Sequence, residues 1–149
     1  MRRGIRTVCS VALIAGLVSC SRAPAGRHNP IEDPLAEAFD GDVAAQYEVG
    51  VRIAASPASA PDYAQAARWL RLAADKGHIG AQASLGFMYH RGQGVPRNDV
   101  EAIKWLTLAM SQSSAEHDAY ALWREYVARQ MSQGDVTAGE RLARAWQRQ

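Results

Sequence analysis

The sequence predicts an all-α fold, a short solenoid of stacked helix–turn–helix units, and three observations predict it. Shifted by 36 residues, the chain falls on itself without a gap: Gly41 on Gly77, Ala45-Gln46 on Ala81-Gln82, Gly50 on Gly86, Ala66 on Ala102, Trp69-Leu70 on Trp105-Leu106 and Leu72-Ala73 on Leu108-Ala109. A fixed period of this size marks one supersecondary unit repeated in series, and a helix pair is the usual unit. Apolar residues within each unit recur at helical spacing. The composition agrees, because alanine and leucine are good helix formers and β-branched runs are missing.

Each element follows from its own pattern. Helix A of the first unit is expected near residues 42–54, with Ala45, Val49 and Ile53 on one face. Helix B is expected near 62–76, with Ala66, Trp69, Leu70 and Ala73 spaced i, i+3, i+4, i+7. Asp62 caps it, with Gln65 in the capping-box position. The second unit repeats the device with Asn98 and Glu101. Gly77 sits where a helix end wants a left-handed residue. Gly50 and Gly86 sit inside helix A, where glycine costs about 1 kcal/mol against alanine, so a neighbouring helix is expected to approach closely there.

A third, degenerate unit is expected over 115–147. Ala115–Met131 reads as a long helix with Ala119, Leu122, Trp123, Tyr126 and Val127 toward the core. Ser132 and Asp135 start a last helix ending near Trp146. At the other end, Pro34–Asp40 matches the tail of a B helix and is expected to close the stack.

The second unit carries the pattern Ala81-Gln-Ala-Ser-Leu-Gly-Phe-Met-Tyr89, then Gly92-Gln-Gly-Val95, then Glu101-Ala-Ile-Lys-Trp-Leu-Thr-Leu-Ala109. It resembles the Sel1-like repeat family, a relative of the tetratricopeptide repeat. The first unit departs from it, with Ile53 for the tyrosine and Ser56–Ala60 for the glycine loop. The resemblance covers residues 34–149, with two clear units at about 41–76 and 77–112. It implies a protein-interaction scaffold whose A helices line a concave face. On that face Glu48, Arg52, Ser84 and Met88 take equivalent outward positions.

Residues 1–19 have the build of an export signal. Arg2, Arg3 and Arg6 form a positive start, and Thr7 to Ser19 is mostly apolar and uncharged. A membrane-spanning helix needs roughly 20 apolar residues, which this stretch lacks. It ends on Leu17-Val18-Ser19-Cys20, which resembles the lipobox of bacterial lipoproteins. The resemblance implies cleavage between Ser19 and Cys20 and a diacylglyceryl group on the Cys20 sulfur. The competing reading is an ordinary cleaved leader that ends near a cysteine by chance. Ser21 resembles the residue found in outer-membrane-sorted lipoproteins, a reading that applies to a two-membraned cell. Residues 20–33 hold Pro24 and Pro30, mixed charge and His28 without an apolar period, and read as a tether of roughly 20 Å.

Charge and chemistry exclude several classes. The precursor carries 17 Lys+Arg against 15 Asp+Glu, but the three leader arginines depart, leaving 14 against 15. A near-neutral chain with dispersed charge has no nucleic-acid footprint. Cys9 leaves with the leader, so Cys20 has no partner for a disulfide, and no zinc site can be built on it. Some cysteine-rich family members are linked to β-lactam binding, but they use a disulfide in each repeat. Gly92-Gln-Gly94 is no phosphate loop, since no Gly-Lys-Ser/Thr follows. His78, His90 and His117 fall at unrelated repeat positions, and Trp69, Trp105 and Trp123 read as packing. No catalytic residue, metal ligand or cofactor is expected.

The expected function is a lipid-anchored scaffold of the bacterial cell envelope, on the periplasmic face of the outer membrane where there are two membranes, gripping a protein or peptide. The alternatives are an envelope enzyme or binder of cell-wall-related small ligands, and a freely periplasmic interaction protein should Cys20 carry no lipid.

Overall fold

A computed structural model describes residues 33–56, 61–114 and 116–148. The leader, Ser19, Cys20, the tether as far as Glu32 with His28, and loop residues 57–60 lie outside the described residues, while Asp33, expected to end the tether, opens the first helix. Seven helices and no strand are found among the described residues: α1 (Asp33–Phe39), α2 (Val43–Ala54), α3 (Tyr63–Asp75), α4 (Ile79–Arg91), α5 (Asp99–Gln112), α6 (His117–Ala128) and α7 (Gln133–Trp146). The predicted all-α solenoid is the observed fold. The pairs α2–α3 and α4–α5 are the two clear units; α3 packs on α4, α5 on α6, and α1 covers α2.

Small side chains on the B helices make this stacking possible. Helix α3 buries Ala66, Ala67, Leu70, Ala73 and Ala74, and α5 buries Ala102, Ile103, Trp105, Leu106, Leu108 and Ala109. Alanine faces let neighbouring helices close up, and one large residue per turn fills the space between them. Trp105, Leu70, Leu85, Ile103 and Leu108 are the largest fully buried anchors among the described residues.

The turns repeat as well. Gly41 (φ 94°) and Gly77 (φ 88°) both end a helix in the left-handed region. In each, the glycine N–H bonds the carbonyl four places before the end of the turn, Ala38 or Ala74, and the next N–H reaches Glu37 or Ala73. This is the Schellman arrangement, and it satisfies the last carbonyls of α1 and α3. The residue after each glycine then caps the next helix: Asp42 accepts from the Ala45 N–H at 2.7 Å, and the His78 Nδ1 from the Ala81 N–H at 3.2 Å.

A buried glutamine completes the joint. Gln46 Nε2 donates to the Ala38 carbonyl at 3.0 Å, and Gln82 Nε2 to the Ala74 carbonyl at 3.3 Å. Both side chains lie in the interior, where an unbonded amide is costly. Each unit is thus pinned to its predecessor through the same carbonyl.

The caps predicted from sequence are present. Asp62 accepts from the Gln65 N–H, Asn98 from Val100 and Glu101, and Ser132 from Asp135. The reciprocal arm differs at Glu101, whose carboxylate turns to Lys104 at 3.3 Å.

The third unit departs from expectation. Helix α6 is shorter than Ala115–Met131: Ser113 Oγ takes the Glu116 N–H, and three-residue turns tighten the chain at Gln130 and Met131. Of the five residues expected in its core, only Val127 is buried. Ala119, Leu122, Trp123 and Tyr126 are exposed. The cause lies in α7, which packs on α5 rather than closing a pair with α6. A Cβ added at Gly139 would come within 2.7 Å of Ile103 Cγ2 and 2.8 Å of the Val100 carbonyl oxygen, so α7 sits directly on α5.

Candidate protein-binding groove

Stacking at a fixed period turns one sequence position into a row in space. Val51, Phe87 and Trp123 are each 36 residues apart, on α2, α4 and α6, and all three line one groove of about 580 Å³. Ala54 and the C-cap residue Ala55 continue the wall at the end of α2, and His90 and Arg91 occupy the matching places on α4. Leu70 and Leu106, from the B helices, reach the floor. The groove therefore runs across the A helices of all three units.

Aromatic contacts fix its far wall. Phe87 meets Trp123 edge to face at 5.3 Å, Trp123 meets Tyr126 at 5.8 Å, and the His90 ring stands against Tyr126 at 5.7 Å. Such edge-to-face pairs hold rings in one orientation without burying them. Beyond Trp123 a second hollow of about 410 Å³ is lined by Ala119, Leu122, Trp123 and Tyr126, again with His90 and Arg91. The two hollows adjoin across the Trp123 ring.

The polar groups along the groove are few. The Arg91 guanidinium lies 4.4 Å over the Phe87 ring. His90 Nδ1 meets Asp99 Oδ1 at 2.8 Å, and Arg97 holds the other Asp99 oxygen at 3.1 Å. Burial works to raise the Asp99 pKa, but the bonds and charges of His90 and Arg97 together outweigh it and hold the carboxyl below its usual value. The Tyr120 hydroxyl donates to Glu116. Its pKa is pushed up to about 12, first by burial and then by that carboxylate, so the phenol is neutral at physiological pH.

The residues singled out from sequence divide. Ser84 and Met88 line the groove, but Met88 is buried in its floor rather than pointing outward. Ser84 spends its hydroxyl on the Gly80 carbonyl at 2.8 Å. Glu48 and Arg52 are exposed and pair with each other at 2.5 Å, outside the lining. Val51, Phe87, Arg91 and Tyr120 were not singled out, although the 36-residue shift aligns Val51, Phe87 and Trp123.

The other candidates do not converge. His78 is a helix cap stacked on Tyr47 at 4.3 Å, and His117 lies exposed near Asp118. Trp69 meets Phe39, whereas Trp105 is buried against Trp146 with Arg71 and Lys104 over its ring. Gly92 and Gly94 form the α4–α5 turn in the left-handed region. Among the described residues, no three His, Cys, Asp or Glu side chains are placed to hold a metal ion.

The Sel1 repeat family model matches residues 43–78 and 79–114, so this chain carries two Sel1 repeats. Among solved structures, it is similar to a protective antigen present in uropathogenic Escherichia coli strains and displaying an SLR fold. That match is 27% identical at a TM-score of 0.67, covering 76% of this chain and 24% of the other. It is also similar to a Sel1 repeat protein from Oxalobacter formigenes, 32% identical at a TM-score of 0.58, covering 63% of this chain and 26% of that one. The chain spans about a quarter of the length of each. No curated protein matches it. Sel1 repeats are in general non-enzymatic modules for protein–protein interaction.

Proposed function

We propose that the protein is a lipid-anchored adaptor of the bacterial cell envelope that grips a partner protein through the groove of α2, α4 and α6. The row Val51, Phe87 and Trp123 along one continuous groove is the observation that carries the gripping surface. A groove of this kind accepts an extended or helical segment, whose side chains enter successive hollows. The anchor is supported by Leu17-Val18-Ser19-Cys20 behind a positive, then apolar, leader. Two or three acyl chains would hold the chain stably at a membrane, where one holds only marginally.

The test joins mass and fractionation. Wild type and Cys20→Ala are expressed with the leader, and intact mass is measured beside membrane sedimentation. The expected result is loss of residues 1–19, added acyl mass and sedimentation for wild type alone. Cleaved, unmodified and soluble protein in both would remove the anchor and favour a freely periplasmic scaffold. Photo-crosslinking from position 87 tests the groove separately: no adduct there, with adducts from an outer-face position such as 68, would move the partner elsewhere.

A further inference from the structure

We infer that the groove takes a partner segment in which an acidic residue stands between two large apolar ones, and that Arg91 selects the acid. The inference rests on the groove reading above and names the chemistry of its occupant.

Charge in the groove is one-sided. Among the described residues that line the two hollows, the only ionisable side chains besides tyrosine are His90 and Arg91, and none is a carboxylate. The two carboxylates bonded to lining residues are already engaged, Asp99 by His90 and Arg97, and Glu116 by Tyr120. Arg91 differs from the rest. It is exposed, it lies over the Phe87 ring, and it has no ion-pair partner among the described residues. A guanidinium stacked on an aromatic face keeps its edge N–H groups directed outward, in the fork that matches a carboxylate.

Position then sets the pattern. Arg91 borders both hollows, as does the Trp123 ring that divides them. A segment lying across Trp123 with its carboxylate at Arg91 has one neighbour facing Val51 and Phe87 and another facing Leu122 and Tyr126. Leu122 and Tyr126 are 67% and 53% exposed, so the outer hollow has apolar surface still to cover. A basic segment would set like charge against Arg91, and a purely apolar one would leave the guanidinium facing no counter-charge.

A random 12-residue peptide library displayed on phage and selected on the full chain tests this. Selected sequences should be enriched in Asp or Glu flanked by aromatic or large aliphatic residues. A synthetic peptide from the selection should lose about tenfold or more in Kd on Arg91→Gln, the loss of one charge-assisted contact. Its own Asp→Asn form should lose as much, and Arg91→Glu should select Lys or Arg instead. Ala83→Trp, which fills the groove, should abolish binding, with thermal unfolding confirming that each variant folds. Peptides blocked by Ala83→Trp but indifferent to Arg91→Gln would overturn the acidic preference and leave the groove standing. Peptides indifferent to Ala83→Trp, or no selected peptides at all, would overturn both.

Discussion

Gly86 on α4 faces Leu106 on α5 so closely that an added Cβ would come within 2.7 Å of the Leu106 Cγ, and Gly50 stands in the same relation to Leu70 at 2.8 Å. The glycine in each A helix is the seat of the leucine in its own B helix. One period later the pair reads Leu122 and Leu142, and both are exposed, at 67% and 38%. A leucine cannot serve as the seat for another leucine at that spacing. Helix α7 therefore rests on α5 through Gly139, and the face of α6 that a B helix would have covered stays open beside the groove.

The close approach predicts opposite outcomes for two glycine-to-alanine changes. Alanine gains up to about 1 kcal/mol of helix propensity over glycine. At Gly86 the new methyl group meets Leu106 and, at 3.2 Å, the Ala102 carbonyl, so α4 and α5 must separate. Overpacking of this kind costs about 1–3 kcal/mol, and Gly86→Ala should lose about 1–2 kcal/mol in urea unfolding. At Gly134 only Ser132 Oγ lies near, at 3.7 Å, and Gly134→Ala should be neutral or gain about 0.5 kcal/mol. A stable Gly86→Ala variant would mean that the helices do not touch as described.

The two buried glutamines should differ in worth. Gln82 donates to Ala74 and accepts from Gln112 at 3.0 Å, so both ends of its amide are bonded. Gln46 donates to Ala38, but its Oε1 has no partner among the described residues. Replacing Gln82 by leucine removes two buried bonds, leaving the Ala74 carbonyl with the Gly77 N–H and the Gln112 amide with the Leu108 carbonyl, at about 2 kcal/mol. Gln46→Leu deletes an unsatisfied oxygen along with one bond, and should cost about 1 kcal/mol or less. Chemical denaturation of the two variants side by side reads the difference, and equal losses would refute the joint as drawn.

His78 makes the α3–α4 joint sensitive to acid. Its Nδ1 accepts the Ala81 N–H, which requires a neutral ring, and burial lowers its pKa below the ordinary value. The unfolded chain then binds the proton more readily than the folded one. The cap's contribution is complete above about pH 6.5 and is lost as pH falls through the folded-state pKa. Asparagine, which caps α5 at Asn98, accepts at any pH. Thermal unfolding of wild type and His78→Asn should run nearly parallel above neutrality, with wild type falling behind as pH drops to 5. Parallel curves throughout would show that the ring nitrogen does not cap.

Period and capping made most of this architecture legible in the sequence. Gly41/Gly77, Ala45/Ala81 and Trp69-Leu70/Trp105-Leu106 gave unit length, helix pairing and core face, because one physical joint is built twice. The third unit was misread for a reason in the same register. Spacing alone shows that Ala119, Leu122, Trp123 and Tyr126 share a face of α6, but an apolar stripe does not say whether another helix covers it. That depended on where α7 goes, which Gly139 and Ile103 decide across 36 residues of sequence. The groove was legible in principle, since the same shift aligns Val51 and Phe87 with Trp123. What hid it was grouping Trp123 with Trp69 and Trp105, which lie at a different repeat position.

The open face of α6 yields the sharpest contrast between the two readings of this unit. A leucine packed in a core costs about 2–5 kcal/mol when truncated, whereas surface changes stay within about 0.5 kcal/mol. Leu122→Gln should therefore leave unfolding midpoints almost unchanged, while Val127→Ala, at 1% exposure on the opposite side of the same helix, should lose about 1–2 kcal/mol. Trp123→Ala should fall between them, losing its edge contact with Phe87 and part of its packing. If Leu122→Gln instead unfolds the protein as readily as Val127→Ala, then α7 or some other segment covers α6 in solution. The outer hollow would then be closed to a partner.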